Sequence, residues 1–308
     1  MKVFVTGGTG AIGRPTLPLL VAAGHDVTAV ARSAKKRAQV DAAGAASVEV
    51  DLFDPGAVER AVDGHDAVVN LATNIPPVTR ATRASAWEVN DRLRREASRN
   101  LVDAALEGGA SRIVQESITF SYPDSGDRWI DAESATPAPS AVVASALEAE
   151  ANVERFTAAG RTGLVLRFGT FYGPGLHHTT TFLRWARRGV VYSGGDPDGY
   201  MSSIHVDDAA AAVVAAFDAP PGVYDVVDDE PVTRREYAAI LAQAAGRSRY
   251  VVAPGRLARV GGRTIEAILR SQRVSNRRFR EATGWQPRWR SVREGLPAVA
   301  ASGEASDG

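Results

Sequence analysis

The sequence predicts an α/β protein, a doubly wound parallel sheet carrying a smaller C-terminal lobe, on three observations. Short β-rich segments alternate with longer helical ones through the first half, the pattern of parallel strands joined by helical crossovers. The first strand runs directly into a glycine-rich turn and a helix, in Thr6-Gly7-Gly8-Thr9-Gly10-Ala11-Ile12-Gly13. The chain has 308 residues, 44% hydrophobic and 23% charged, enough for one large core and an appendage.

Taken in order, residues 3–6 read as strand 1, 12–23 as the first helix, 26–31 as strand 2 and 47–50 as strand 3. Residues 67–71 are apolar apart from Asn70, as a strand buried on both faces should be. A long helix is expected over 87–107, closed by Gly108-Gly109. Strand 5 follows at 112–116, a helix at about 141–158 and strand 6 at 163–167. Gly173-Pro174-Gly175 and Gly194-Gly195-Asp196-Pro197 then break the alternation, so segments here are expected to leave the sheet as a cap. A helix near 207–217 and a strand at 223–227 read as a return to the platform. The expected division is a dinucleotide-binding domain over 1–170 with a return segment at about 205–228. Residues 171–204 and 229–300 form the cap and lobe, and 301–308 a polar tail.

Composition excludes several classes. Lys+Arg and Asp+Glu are 36 each, so no net field draws the chain to nucleic acid or an anionic membrane. There is no cysteine, hence no disulfide, thiolate nucleophile or Cys-ligated metal, and with only five histidines no His-rich metal site is expected. The N-terminus reads as a strand and no apolar run reaches membrane-spanning length, so a cytoplasmic location is expected. Charge is uneven locally: from Arg256 to Glu294 there are eleven arginines against three glutamates. A solvated helical surface is the plainer explanation; the alternative is a grip on a phosphate or carboxylate of an anionic small molecule.

Strand, glycine-rich turn and helix together are the context a dinucleotide fingerprint requires, and they identify the platform as Rossmann-type. Gly7 serves the tight turn, Gly10 the approach of backbone amides to a pyrophosphate, and Gly13 the packing of helix on sheet, with Thr9, Ala11 and Ile12 between them. At the end of strand 2, 19 residues past Gly13, an acid would bond the ribose of NAD. Arg32 stands there, followed by Ser33, Lys35 and Lys36, so NADP(H) is the expected cofactor. Asp51 and Leu52 are expected near the adenine, and Leu71, Ala72 and Thr73 near the ribose and pyrophosphate.

With these elements assembled, the chain resembles the extended short-chain dehydrogenase/reductase family, of the epimerase/dehydratase type, over nearly its whole length. The resemblance rests on the glycine motif, Asp66-Ala67-Val68-Val69-Asn70-Leu71-Ala72, Asn90, Arg167, Gly173-Pro174-Gly175, Ile204-His205-Val206-Asp207-Asp208 and Gly284-Trp285-Gln286-Pro287. It implies a Ser/Thr plus a Tyr-x-x-x-Lys pair, in which the lysine charge lowers the phenol pKa for proton exchange with substrate. Ser117 keeps the serine position. Aligning Ser145 and Glu150 with the family's pattern puts Val142 at the tyrosine position and Ala146 at the lysine position. Lys2, Lys35 and Lys36 are the only lysines, so none can serve on that helix.

The expectation is an atypical NADP(H)-dependent oxidoreductase acting on a small molecule. Ser117 and Tyr122 are the candidate catalytic groups, and Tyr172, His177, His178 and Tyr200 the candidate substrate-side residues. Two alternatives stand beside it: a silent NADP(H)-binding sensor or scaffold, and a non-redox isomerase or cyclase using His177-His178. Asp207 and Asp208 open a helix, where acids cap amides and complement the dipole, so no metal is assigned to them. The resemblance also implies a homodimer through the helices at 87–107 and 141–158, with Trp87, Val142 and Val143 in contact.

Overall fold

The computed structural model describes residues 1–77, 80, 83–138, 140, 143–253 and 263–302. The chain runs β1 (Lys2–Thr6), α1 (Gly13–Ala22), β2 (Asp26–Val30), α2 (Ala34–Ala42), β3 (Ala46–Val48), α3 (Pro55–Val62), β4 (Ala67–Asn70), α4 (Glu88–Arg92), α5 (Ser98–Glu107), β5 (Arg112–Ile118), β6 (Trp129–Ile130), α6 (Ala144–Ala158), β7 (Thr162–Phe168), β8 (Thr170–Tyr172) and α7 (His177–Arg187). It continues through β9 (Val190–Tyr192), β10 (Tyr200–Met201), β11 (Ser203–His205), α8 (Val206–Ala215), β12 (Gly222–Val226), β13 (Val232–Thr233), α9 (Arg234–Ala244), β14 (Val251–Ala253), α10 (Arg263–Leu269), β15 (Arg273–Val274), α11 (Arg277–Thr283) and α12 (Val292–Ala301).

Seven strands form one parallel sheet in the order β12-β7-β5-β4-β1-β2-β3. Alternate side chains feed two cores, as the two-residue period of a strand demands. Val3, Val5, Val69, Leu164 and Leu166 pack with Leu17 and Leu20 of α1 and Val213 of α8 on one face. Phe4, Val68, Ile113 and Val165 pack with Val58 of α3, Leu101 of α5 and Phe156 of α6 on the other. A third cluster, with Leu183, Val191, Tyr237, Leu241, Val292 and Leu296, is the core of the lobe built by α7, α9 and α12. Two crossover helices went unread in the sequence, α2 and α3. Each is opened by a side-chain cap, Ser33 accepting from the Lys36 amide and Asp54 from the Ala57 amide. Strand 3 lies at Ala46–Val48, shifted toward the N-terminus, and the described part of α6 starts at Ala144. Val142 falls outside the described residues, as do the tail residues 303–308. Among the described residues no helix is long and apolar enough to cross a membrane.

The long helix predicted over 87–107 exists, but α4 and α5 are joined by a π-turn, Leu93–Ala97. The wider turn brings Arg94 inward, where its guanidinium meets Glu116 of β5 at 2.9 Å. Their side chains are 2% and 5% exposed. At the sheet's outer edge, Arg278 donates to the Val223 carbonyl of β12 at 2.9 Å, and Asn276 donates to the Val227 carbonyl at 2.8 Å. Arg278 also lies 4.9 Å over the Tyr224 ring.

Removing one partner of a buried pair leaves the other charge in a low dielectric. Arg94→Leu should cost about 3 kcal/mol, and Arg94→Leu with Glu116→Leu should recover most of it. Urea denaturation of both variants checks this; an unrecovered double variant would mean the loss comes from packing rather than charge.

Candidate active site

The carboxyl ends of the parallel strands form a shelf, the place where open α/β sheets bind ligands. Gly7 turns with φ of +71°, and a Cβ there would collide with the Leu71 carbonyl, since the backbone leaving β4 crosses directly above it. A Cβ on Gly13 would collide with the Gly7 carbonyl, so α1 can start this close to the turn only without a side chain. The Gly10 amide is spent on the Gly7 carbonyl at 2.8 Å, and the Arg14 amide on the Gly10 carbonyl at 3.1 Å. Among the described residues the amides of Ala11, Ile12 and Gly13 carry no such bond, which leaves three donors at the helix start.

Buried polar groups hold that shelf. Thr6 donates to Asn70 at 2.6 Å, Asn70 to Gln115 at 2.8 Å, and Gln115 to the Glu116 carbonyl at 2.8 Å, latching the ends of β1, β4 and β5. The loop after β4 is pinned twice, by the Ala72 amide to Asn70 and the Asn74 amide to Asn90 at 3.0 Å. Thr73 is exposed beside it, while Leu71 and Leu52 are buried supports. At the far end of the shelf Arg32, Ser33 and Lys36 are exposed at the start of α2. The Ser33 hydroxyl accepts from the Lys36 amide at 3.3 Å and retains its own proton to donate. Asp51 is exposed, and one of its oxygens accepts from the Phe53 amide.

The candidate catalytic groups lie at the end of β5 and in the loop after it. Ser117 is 0% exposed and donates to Glu150 at 2.5 Å. Tyr122 is 0% exposed and donates to Asp225, 2.9 and 3.1 Å from its two oxygens. Arg167 joins the two, bonding Glu150 through Nε (2.9 Å) and Nη2 (2.6 Å) and donating to the Tyr122 hydroxyl at 2.9 Å. Burial, and then the charge of Asp225, push the Tyr122 phenol far above its ordinary pKa. Both hydroxyls are buried and engaged with carboxylates, Ser117 with Glu150 and Tyr122 with Asp225.

The cap residues divide similarly. Tyr172 is wedged beneath α12, where a Cβ on Gly295 would collide with its ring, and burial together with the Asp228 charge raises its pKa. Tyr200 turns its ring face to Arg273, 4.7 Å away, and Arg273 also covers Trp129. His178 donates through Nε2 to the Phe171 carbonyl at 2.7 Å, and burial lowers its pKa, which keeps it a neutral brace. His177 is the exposed member of the pair. Val143 is fully buried within the chain, so it is not available to a dimer contact, and Trp87 is half-buried. His205 accepts from the Asp207 amide, and Asp208 accepts from the Arg288 and Trp289 amides, so these acids are helix-start and loop-binding groups. The arginine-rich stretch is largely engaged: Arg280 and Arg290 with Asp229, Arg293 with Glu236, and Arg278 with Glu133. Arg256 and Arg259 lie outside the described residues.

Asp225 is the functional-end residue that sequence reasoning missed. A lone acid inside the apolar run Val223–Val227 was the signal available.

Shelf, crossover helices and cap define a nucleotide-binding α/β protein of the short-chain dehydrogenase type. Residues 3–226 match the NAD dependent epimerase/dehydratase family, and the chain belongs to that family. It is 34% identical, over 96% of its own length and 99% of the other's, to the 3-diazoavenalumate denitrifying reductase of a Streptomyces species. It is 30% identical to the 2-alkyl-3-oxoalkanoate reductase of Stenotrophomonas maltophilia, over 81% of this chain and 77% of that one. Its fold matches that of the Thermus thermophilus UDP-glucose 4-epimerase in complex with NAD, with a TM-score of 0.81, 24% identity and all of both chains covered.

Burial raises the Asp225 pKa to about 7, against the pull of the Tyr122 hydroxyl, Arg167 and the Ala132 amide, with Asp131 adding a like charge. The folded chain therefore holds this proton more tightly than the unfolded one. The stabilisation is present at about pH 4 and is lost as pH rises through about 7, up to about 4 kcal/mol. Asp225→Asn should remove that slope. Urea midpoints of both proteins from pH 5 to 8 test it, and parallel curves would show that Asp225 is ionised throughout.

Proposed function

We propose that this chain is an NADP(H)-dependent reductase that works without the Tyr/Lys relay, on a small substrate whose reduction takes no proton from the protein. One observation carries the reading: a complete nucleotide shelf lies beside a reactive end whose candidate hydroxyls are committed. Ser117 and Tyr122 are bonded to Glu150 and Asp225, Ala146 stands fully buried where the register puts the lysine, and the three lysines are Lys2, Lys35 and Lys36.

NADP(H) fits the shelf on its own residues. The amides of Ala11, Ile12 and Gly13 suit the pyrophosphate. Arg32 and Lys36 are cations without an acidic partner among the described residues, and with the Ser33 hydroxyl they suit a 2′-phosphate. The free oxygen of Asp51 suits the adenine amino group. When bound, NADPH supplies a hydride; a ketone acceptor also needs a proton on oxygen, whereas an aromatic diazonium gains a C–H bond, loses its C–N bond and releases dinitrogen, with no proton required. The diazo-removing activity in the name of the Streptomyces relative supports that acceptor class here. The chain's own task is then to bind, to orient and to exclude water, which the latched shelf and the pinned β4 loop can do.

Fluorescence titration should give tighter binding of NADPH than of NADH, and Arg32→Glu should weaken NADPH by about tenfold or more. Incubation of a benzenediazonium carboxylate with 4-deuterated NADPH should yield benzoate bearing deuterium in place of the lost nitrogen. Failure to bind either nucleotide would sink the reading, while tight binding with no turnover of any acceptor would favour the sensor alternative.

A further inference from the structure

Arg234 is the first residue of α9, after the capping box in which Thr233 and Glu236 bond each other. Its backbone amide donates to Gly199, and its side chain turns into the cap, where it is 5% exposed. There Nη2 donates to the carbonyls of Ile268 (2.9 Å) and Arg270 (3.1 Å), at the end of α10. Nε is buried with no partner, and among the described residues no carboxylate pairs with this guanidinium. Burial lowers its pKa, which Tyr192 and the carboxylates of Asp124 and Asp196 offset only in part. Two carbonyls do not neutralise a buried charge, and a guanidinium so placed is suited to an anion.

The surroundings indicate what kind. Gly194 and Gly195 run past it, Gly195 with φ of +93°. A Cβ on Gly195 would lie 3.0 Å from Nε, and one on Gly194 2.9 Å from the Tyr192 hydroxyl, so glycine keeps side chains away from both polar atoms. Tyr192 stacks on Phe182 (6.2 Å, 29° between planes), and Phe182 meets the edge of His178. His178 is braced on Phe171 of β8, just past the carboxyl end of β7, so a half-buried aromatic row leads from the sheet toward Arg234. Arg270, whose carbonyl Arg234 holds, reaches back to the Tyr122 carbonyl in the loop after β5 at 3.0 Å. Arg234 is thus tied through Arg270 to the loop that follows β5.

We propose that Arg234 receives the carboxylate of an aromatic substrate whose ring lies along Phe182 and Tyr192. A single guanidinium with Asp124 and Asp196 in its neighbourhood suits a monoanion better than a phosphate of higher charge. The proposal rests on the reductase reading, whose substrate it defines, yet its test needs no turnover.

Calorimetry with 4-hydroxycinnamate and its methyl ester, on free and NADP+-saturated protein, separates charge recognition from ring stacking. The acid should bind at least about tenfold more tightly than the ester. Arg234→Met should abolish that preference while leaving ester and NADPH affinities unchanged, and Arg234→Lys should restore part of it. Equal binding of acid and ester by the unaltered protein, or of the acid by Arg234→Met, overturns the proposal and leaves Arg234 as a clasp for α10. If Arg234→Met does not fold, the acid and ester comparison on the native chain still decides. Loss of NADPH binding with the acid preference intact would instead count against the reductase reading alone.

Discussion

The structure turns on one buried guanidinium. Arg167 leaves β7 and holds Glu150 of α6 and the Tyr122 hydroxyl beyond β5; Glu150 holds Ser117 of β5, and Tyr122 holds Asp225 of β12. Three adjacent strands, a crossover helix and a loop are thus fixed through one chain of charge-assisted bonds. Such a network is stable only when every member is satisfied, and here the Ala132 amide supplies a further donor to Asp225 at 2.8 Å. Rigidity at this place and the engagement of the Ser117 and Tyr122 hydroxyls have the same origin.

Much of the fold was legible because it depends on periodicity and on glycine. Two-faced apolar runs gave the strands, and Gly7 and Gly13 occupy positions where a side chain would strike backbone. The cofactor end was legible for a related reason, since consecutive residues on one turn remain neighbours after folding. The reactive end was not. Tyr122 lies five residues past Ser117, but sequence spacing across a 3-10 turn does not reveal that its hydroxyl points to Asp225, 103 residues away. The inward direction of Arg94 was hidden too, because it depends on a π-turn that helical periodicity does not foresee.

The two ends of the cleft handle charge differently. At the α2 end, Arg32 and Lys36 stand in solvent, where attraction is screened and a partner of two or more negative charges is welcome. In the cap, Arg234 is buried and flanked by glycine, where a mismatch in charge or shape is costly. On the proposed reading, affinity for a nucleotide and selectivity for its co-substrate can change independently, by substitutions about two hundred residues apart in sequence.

The outer edge of the sheet has a consequence for how the molecule keeps company. A parallel sheet ending in an uncovered strand offers a row of carbonyls and amides that a stray extended chain can extend, the first step toward aggregation. Arg278 and Asn276 occupy carbonyls on and just beyond that strand, and Arg278 lays its guanidinium on Tyr224, so the row is interrupted by side chains that already have partners. Growth of the sheet from one molecule into the next is discouraged at this end, and association there would have to proceed through side chains, by shape and charge, and so with a partner of matched surface.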